Sequence, residues 1–169
     1  MGRTPSLLRH TLMSRILYFA YGSNLSFRQF RRRCPGATVV GRARLPGYRL
    51  AFTRYSTKRK GGVADIVPQP DAEVWGALYE IDDAGLAVLD GFEGVPRAYR
   101  RETVRVIGDE GVEREALTYI ANRTGEFAPS QEYLSIIARG ARDHDLPEEY
   151  IRAVEGVRTL APGRLGRSV

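Results

Sequence analysis

The chain has 169 residues, of which 43% are hydrophobic, and its formal net charge is +6. This length predicts one globular domain that buries a sizeable core, and no apolar run reaches the roughly 20 residues that a membrane-spanning helix needs. The single cysteine, Cys34, excludes a disulfide framework within the chain, which suits a reducing compartment such as the cytoplasm.

The positive charge comes almost entirely from arginine, because Lys58 and Lys60 are the only lysines. The basic clusters, Arg28 with residues 31–33 and residues 58–60, do not coincide with a nucleic-acid-binding motif. The charge therefore indicates a solvated basic surface, or a basic rim that attracts anionic substrates. We expect a small-molecule substrate, no nucleic-acid or membrane partner, and a monomer or homodimer.

The two ends of the chain differ from its middle. Residues 1–14 are basic and lack acidic residues, which predicts a flexible leader, and Met13 could be the start of the functional chain. Residues 159–169 contain Pro162 and Gly163 and predict a loose tail. The predicted catalytic domain is therefore 15–158.

Short apolar runs separated by turn residues predict the elements of the first half of the chain. Ser26 is a suitable N-cap for a helix that ends near Pro35 and Gly36, and the sequence at 45–47 and at 68–71 is typical of turns. The predicted elements are a strand over 16–20, a helix over 27–33, and strands over 38–43, 48–52, 63–67 and 74–81.

The second half predicts a helix from Asp82 or Asp83 to about Phe92, a hairpin of strands over 99–107 and 113–121, and helices over 129–142 and 147–155. Strands outnumber helices and their links are short. We therefore predict an α+β fold with a mixed, largely antiparallel β-barrel or strongly curved sheet and three to four surrounding helices.

The segment Tyr21–Leu25 (YGSNL) directly follows the first strand and predicts a tight turn. Gly22 can adopt a positive φ without steric cost, and Asn24 tolerates one better than most residues. Successive N–H groups in such a turn can form a concave anion site. If the fold brings Glu93 to this turn, an acid/base lies beside a cradle for a carboxylate or a carbonyl.

From about Ile16 to about Val157 the chain resembles the γ-glutamylcyclotransferase family. The motifs follow the family's order: YFAYGSNL at 18–25, GGVA at 61–64, VWG at 74–76, LD at 89–90, EGV at 93–95, SQEY at 130–133, GA at 140–141 and LPEEY at 146–150. The resemblance implies the compact α/β barrel of that family. It also implies an intramolecular aminolysis, in which the α-amine of a γ-glutamyl compound attacks the γ-carbonyl and releases 5-oxoproline, with no metal or cofactor.

In this resemblance Glu93 matches the family's catalytic glutamate and is expected to act as the general acid/base. An unperturbed glutamate is a weak base, so we expect burial or a neighbouring negative charge to raise the pKa of Glu93. The substrate-binding residues implied by the family's glutamyl-binding loop and pocket aromatics are Tyr21, Gly22, Ser23, Asn24, Leu25, Tyr99 and Tyr133. The spacing from Glu93 to Tyr99 is one residue shorter than in the animal enzymes.

Free γ-glutamyl amino acids are the first expected substrates, because the γ-glutamylamine branch usually carries a YGT-type loop in place of Ser23-Asn24. A γ-glutamyl amine or a γ-glutamylated secondary metabolite is the second, and a glutathione-specific branch with a different glycine-rich loop is less similar. A non-catalytic binder of small acidic metabolites is an alternative from another class. The remaining reactive residues, His10, His144 and Cys34, give little support for a metal site, a catalytic triad or a thiol nucleophile.

Overall fold

Five strands close into a barrel in the order β1-β3-β2-β4-β5, as seen in a computed structural model that describes residues 14–161. The strands are β1 (Ile16–Ala20), β2 (Thr38–Ser56), β3 (Gly61–Ile81), β4 (Tyr99–Gly108) and β5 (Glu113–Ala121). All pairs are antiparallel except β1 with β5, which is parallel where Tyr18 pairs with Leu117. The predicted mixed, largely antiparallel barrel is confirmed. The predicted leader falls almost wholly outside the described residues, as does most of the predicted tail.

The predicted turns at 45–47 and 68–71 are wrong, because β2 and β3 are two long, continuous strands. Pro46 pairs with Glu73 and Tyr48 pairs with Pro68, so the ladder shifts register there without reversing either strand. Gly47 adopts a φ of +82°, which a residue without a Cβ takes easily, and such an irregularity bends a strand. Sequence signals typical of a turn therefore mark a bend in the barrel wall.

Four α-helices of the described segment surround the barrel: α1 (Phe27–Arg33), α2 (Asp83–Glu93), α3 (Gln131–Asp143) and α4 (Glu148–Glu155). Each of the first three begins where a side-chain oxygen accepts a backbone N–H: Ser26 for α1, Asp82 for α2 and Ser130 for α3. The helix predicted to start at residue 129 therefore starts two residues later. None of the helices within residues 14–161 is long and apolar enough to cross a bilayer.

Helix α3 holds the turn after β1 in place. A Cβ added to Gly140 on α3 would lie 2.4 Å from the carbonyl carbon of Leu25, so only glycine permits this close approach. Tyr133 and Ile137 on α3 are buried in the same core as Leu25. The turn is thus clamped between the barrel and a helix from the far end of the chain.

Candidate active site

The turn after β1 continues into a short 3₁₀ helix over Ser23–Leu25. The Leu25 N–H donates to the Gly22 carbonyl (3.0 Å), and the Ser26 N–H donates to the Ser23 carbonyl (3.0 Å). Within residues 14–161, the N–H groups of Gly22, Ser23 and Asn24 have no hydrogen-bond acceptor. Three backbone donors at the start of a helical turn are a suitable cradle for a carboxylate or an oxyanion.

Gly22 does not adopt the positive φ that the sequence analysis expects, since its φ is −108° and its ψ is −137°. Asn24 is also absent from the described residues with positive φ. The space beside Gly22 is tight. A Cβ at position 22 would lie 3.2 Å from the Cβ of Ala64 and 3.8 Å from the hydroxyl of Tyr133.

Glu93 is the last residue of α2, and it lies beside this turn. Gly94 ends the helix in the left-handed conformation at a φ of +63°, the usual glycine C-cap. The Nδ2 atom of Asn24 donates to Oε1 of Glu93 at 3.1 Å. The structure therefore brings together two segments that are 69 residues apart in the sequence.

Asn24 uses all of its side-chain hydrogen-bonding capacity within the protein. Besides Glu93, its Nδ2 donates to the hydroxyl of Tyr18 (3.0 Å). Its Oδ1 accepts from Nη1 of Arg33 (3.1 Å) and from Nε2 of Gln29 (3.1 Å). A fully satisfied amide cannot rotate without losing bonds, so the Asn24 side chain orients Glu93 and is not free for a ligand.

Burial raises the pKa of the Glu93 carboxyl above its ordinary value. The nearby positive charge of Arg33, the hydrogen bond from Asn24 and the charge of Arg59 each oppose this rise. Glu93 as a whole residue is only partly buried, and its carboxylate lies inside the cavity described below. A carboxylate with a raised pKa is a better base near neutral pH than an exposed glutamate.

Tyrosines make up half of the residues that line the cavity around Glu93. The Tyr99 hydroxyl donates to the carbonyl of Ala64 (2.6 Å), and the hydroxyl of Tyr133 accepts from the N–H of the same residue (3.0 Å). Burial raises the pKa of Tyr133 to about 12 and that of Tyr99 well above its usual range, so both phenols stay protonated at neutral pH. The lining of the cavity comprises Tyr18, Tyr21, Gly22, Ser23, Asn24, Ala64, Glu93, Tyr99, Tyr119 and Tyr133.

Seven of the eight site residues expected from the sequence line this cavity, including Tyr99 despite its altered spacing. Leu25 does not, because its side chain is fully buried in the core beneath the turn. Sequence reasoning missed Tyr18, Tyr119 and Ala64 as lining residues, and it missed the links from Gln29 and Arg33 to Asn24. Tyr18 and Ala64 lie within the YFAYGSNL and GGVA motifs, and these motifs could have indicated both residues as lining residues. Gln29 lies outside every family motif, so the sequence did not indicate its link to Asn24.

The other reactive residues have structural surroundings. His144 is buried, and its Nε2 lies 2.7 Å from the hydroxyl of Tyr79 in the core. Cys34 is also buried, with its Sγ 3.5 Å from the carbonyl oxygen of Gly85, and burial raises the pKa of the thiol. Both residues therefore pack the interior between the helices and the barrel.

The charge of Arg33 should influence the pH at which kcat/KM falls on the acidic side of its pH profile. Because Arg33 lowers the pKa of Glu93, Arg33→Gln should raise that pKa further and move the acidic limb of kcat/KM to higher pH. The matched control is Arg31→Gln on the same helix, since Arg31 stacks on Phe27 and does not line the cavity. A limb that stays in place or moves to lower pH in Arg33→Gln would contradict this assignment.

Comparison with known proteins gives a consistent result. The AIG2-like family matches residues 73–154. The chain is 34% identical to a mouse protein named γ-glutamylcyclotransferase and 36% identical to its human counterpart, in each case over 82% of this chain and 78% of the relative. A solved structure named γ-glutamyl cyclotransferase superposes with a TM-score of 0.85 at 32% identity, covering 91% of this chain and 95% of that chain.

Proposed function

The chain belongs to the γ-glutamylcyclotransferase family and is an enzyme, and we propose that it cyclises γ-glutamyl compounds to 5-oxoproline with Glu93 as its single general acid/base. One observation carries this proposal. A carboxylate with a raised pKa lies beside a turn whose three N–H groups have no acceptor among the described residues, in a cavity lined by five tyrosines.

The glutamyl group must bend so that its α-amine reaches its own γ-carbonyl, which requires a grip on both ends of the group. We propose that the N–H groups of Gly22, Ser23 and Asn24 bind an anionic oxygen of this group, either the α-carboxylate or the developing oxyanion. Tyr21, Tyr99 and Tyr133 would pack against the methylenes. Leu25 would contribute only by supporting the turn from below.

Glu93 carries protons from the attacking nitrogen of the substrate to the leaving nitrogen. Glu93 takes a proton from the α-ammonium, and the freed amine attacks the γ-carbonyl carbon to give a tetrahedral intermediate. Glu93 next delivers that proton to the departing nitrogen as the old C–N bond breaks, and it then takes the second proton that the ring nitrogen loses on becoming the lactam N–H. The released amine accepts this second proton and leaves as an ammonium group. The products are 5-oxoproline and a free amine or amino acid, so no water is consumed.

Free γ-glutamyl amino acids are the first substrates that we propose, and the turn sequence Ser23-Asn24 supports them over γ-glutamyl amines. We also propose that residues 15–158 carry the activity. A cytoplasmic location, a monomer or homodimer, and the absence of nucleic-acid and membrane partners stay predictions from composition.

The substrate's α-amine should be essential, because it is the nucleophile. γ-Glutamyl-alanine should yield 5-oxoproline and alanine, measured by liquid chromatography with mass detection. N-acetyl-γ-glutamyl-alanine and α-glutamyl-alanine should yield none, because the first lacks the nucleophile and the second lacks the γ-linkage. Cleavage of the N-acetylated compound would indicate a hydrolase, and the absence of turnover of any γ-glutamyl compound would indicate a binder.

A further inference from the structure

A wide basic vestibule opens directly from the cavity. It shares Glu93, Tyr99 and Tyr133 with the cavity. Its cationic residues are Arg33, Arg54, Lys58 and Arg59, and among the described residues Glu93 is the only acidic one that lines it. Any group attached to the γ-carbonyl of a bound substrate and pointing outward would lie among these four cations.

The vestibule continues into a groove between α1 and α3. The groove shares Arg33, Lys58 and Arg59 with the vestibule, and it adds Arg28, Arg32 and Arg139. In the part of the chain that the structure describes, Glu132 is the only acidic residue that lines this groove. We call the vestibule and the groove together the basic channel.

The cations of the basic channel form no close ion pairs with the described carboxylates, although Arg33 and Arg59 lie near enough to Glu93 to lower its pKa. Within residues 14–161, none of these seven side chains forms an ion pair. Several arginines elsewhere are paired, for example Arg42 with Asp109 and Arg123 with Asp65. All seven cations along the path that leads out of the cavity therefore keep their charge free of ion pairs within the described residues.

Neutral groups nevertheless hold two of these guanidinium groups in fixed positions. Arg33 donates to Oδ1 of Asn24 and lies over the ring of Phe92, with 4.5 Å to the ring centroid. Arg59 donates to Oε1 of Gln29 at 2.7 Å and lies over the ring of Tyr133. These contacts orient the two guanidinium groups and leave them charged. The channel is therefore preorganised to bind an anion.

Building on the proposed function, we propose that the basic channel binds a leaving group with several carboxylates, and that γ-linked oligomers of glutamate are the preferred substrates. The leaving group of γ-glutamyl-alanine has one carboxylate, which leaves most of the channel's charge unused. A γ-linked oligoglutamate carries at least one α-carboxylate per residue. Its first residue is also a γ-glutamyl group with a free α-amine, which fits the cavity.

Such an oligomer would react by the same steps as a γ-glutamyl amino acid. The α-amine of the first residue attacks its own γ-carbonyl carbon and forms the lactam C–N bond. The C–N bond to the second residue breaks as the nitrogen of that residue takes the proton carried by Glu93. The ring nitrogen then gives up its second proton through Glu93 to the released amine, which leaves as an ammonium group. The products are 5-oxoproline and an oligomer shorter by one residue, which again begins with a γ-glutamyl group until a single glutamate remains.

The test compares kcat/KM for γ-glutamyl-alanine with that for γ-linked di-, tri- and tetraglutamate, using the full chain and measuring 5-oxoproline. We expect kcat/KM to rise at least about tenfold from γ-glutamyl-alanine to the tetramer, as several weak charge pairs act together. This preference should shrink at high salt because the channel's cations are exposed to solvent.

In the unsubstituted protein, kcat/KM for each oligoglutamate can be divided by kcat/KM for γ-glutamyl-alanine. In the double variant Arg32→Gln/Arg139→Gln, this ratio for tetraglutamate should fall close to the ratio that the unsubstituted protein shows for diglutamate. Arg31→Gln removes a charge from the same helix outside the channel and should leave the ratio unchanged. Equal kcat/KM for all four compounds, or a ratio that the double variant does not lower, would overturn this proposal while leaving the proposed function intact. No 5-oxoproline from any compound would instead overturn the proposed function.

Discussion

Glu93→Gln should lower turnover of γ-glutamyl-alanine by at least about 100-fold, the typical effect of losing a general acid/base. Glutamine keeps the length of the side chain, and its Oε1 can still accept the hydrogen bond from Asn24. It cannot take the proton from the α-ammonium, so the nucleophile stays charged. The measurement is steady-state release of 5-oxoproline.

The same change should leave the melting temperature equal to that of the unsubstituted protein or higher. The folded-state pKa of Glu93 is raised, so folding favours the protonated form, and ionisation destabilises the folded state once the pH exceeds that pKa. The glutamine side chain stays neutral at every pH, so any gain should appear at neutral pH and vanish below about pH 4, where Glu93 is protonated in both states.

The matched control is Glu110→Gln, which removes one negative charge from an exposed position in the β4–β5 hairpin. This variant should keep full turnover. Near-normal turnover in Glu93→Gln would remove Glu93 from the proposed mechanism. A large fall in melting temperature would mean that the carboxylate stabilises the fold.

Gly22→Val should lower kcat/KM by about 100-fold, which is the typical cost of misplacing a substrate by about 1 Å. The new Cβ would lie 3.2 Å from the Cβ of Ala64, and the two methyl groups would extend into the tyrosine-lined cavity. Crowding at this point should also lower the free energy of unfolding by about 1–3 kcal/mol. Calorimetry and substrate titration measure the two effects separately.

Two further variants complete this test. Gly108→Val places the same side chain at the end of β4, where an added Cβ meets nothing within 4 Å, and should leave kcat/KM unchanged. Gly22→Ala adds only the Cβ and should give an intermediate loss. Normal kcat/KM in Gly22→Val would show that the substrate does not occupy the space beside Gly22.

The order of the strands and helices along the chain, and a mixed, largely antiparallel barrel or strongly curved sheet, could be predicted from local signals. Alternating or short apolar runs indicated the strands, and Ser26, Asp82 and Ser130 at helix starts indicated the helices. The continuity of β2 and β3 could not be predicted. Whether a Pro-Gly pair such as 46–47 reverses a strand or only bends it depends on the partner strand, and local sequence does not report that partner.

The site could be predicted in part. The family motifs placed Glu93 beside the Tyr21–Leu25 turn, and the structure brings them together through Asn24. The expected positive φ at Gly22 was wrong, because the constraint is the contact with Ala64, which is distant in sequence. The hydrogen bonds from Arg33 and Gln29 to Asn24 also depend on how α1 packs across the turn, and no motif reports that.

In the proposed mechanism the substrate's own amine, and not water, displaces the leaving group. Turnover of γ-glutamyl-alanine in ¹⁸O-labelled water, followed by mass spectrometry of the products, tests this step most directly. We predict 5-oxoproline and alanine that carry no label from the water. Free glutamate with one labelled γ-carboxylate oxygen would contradict the account, because it would show hydrolysis.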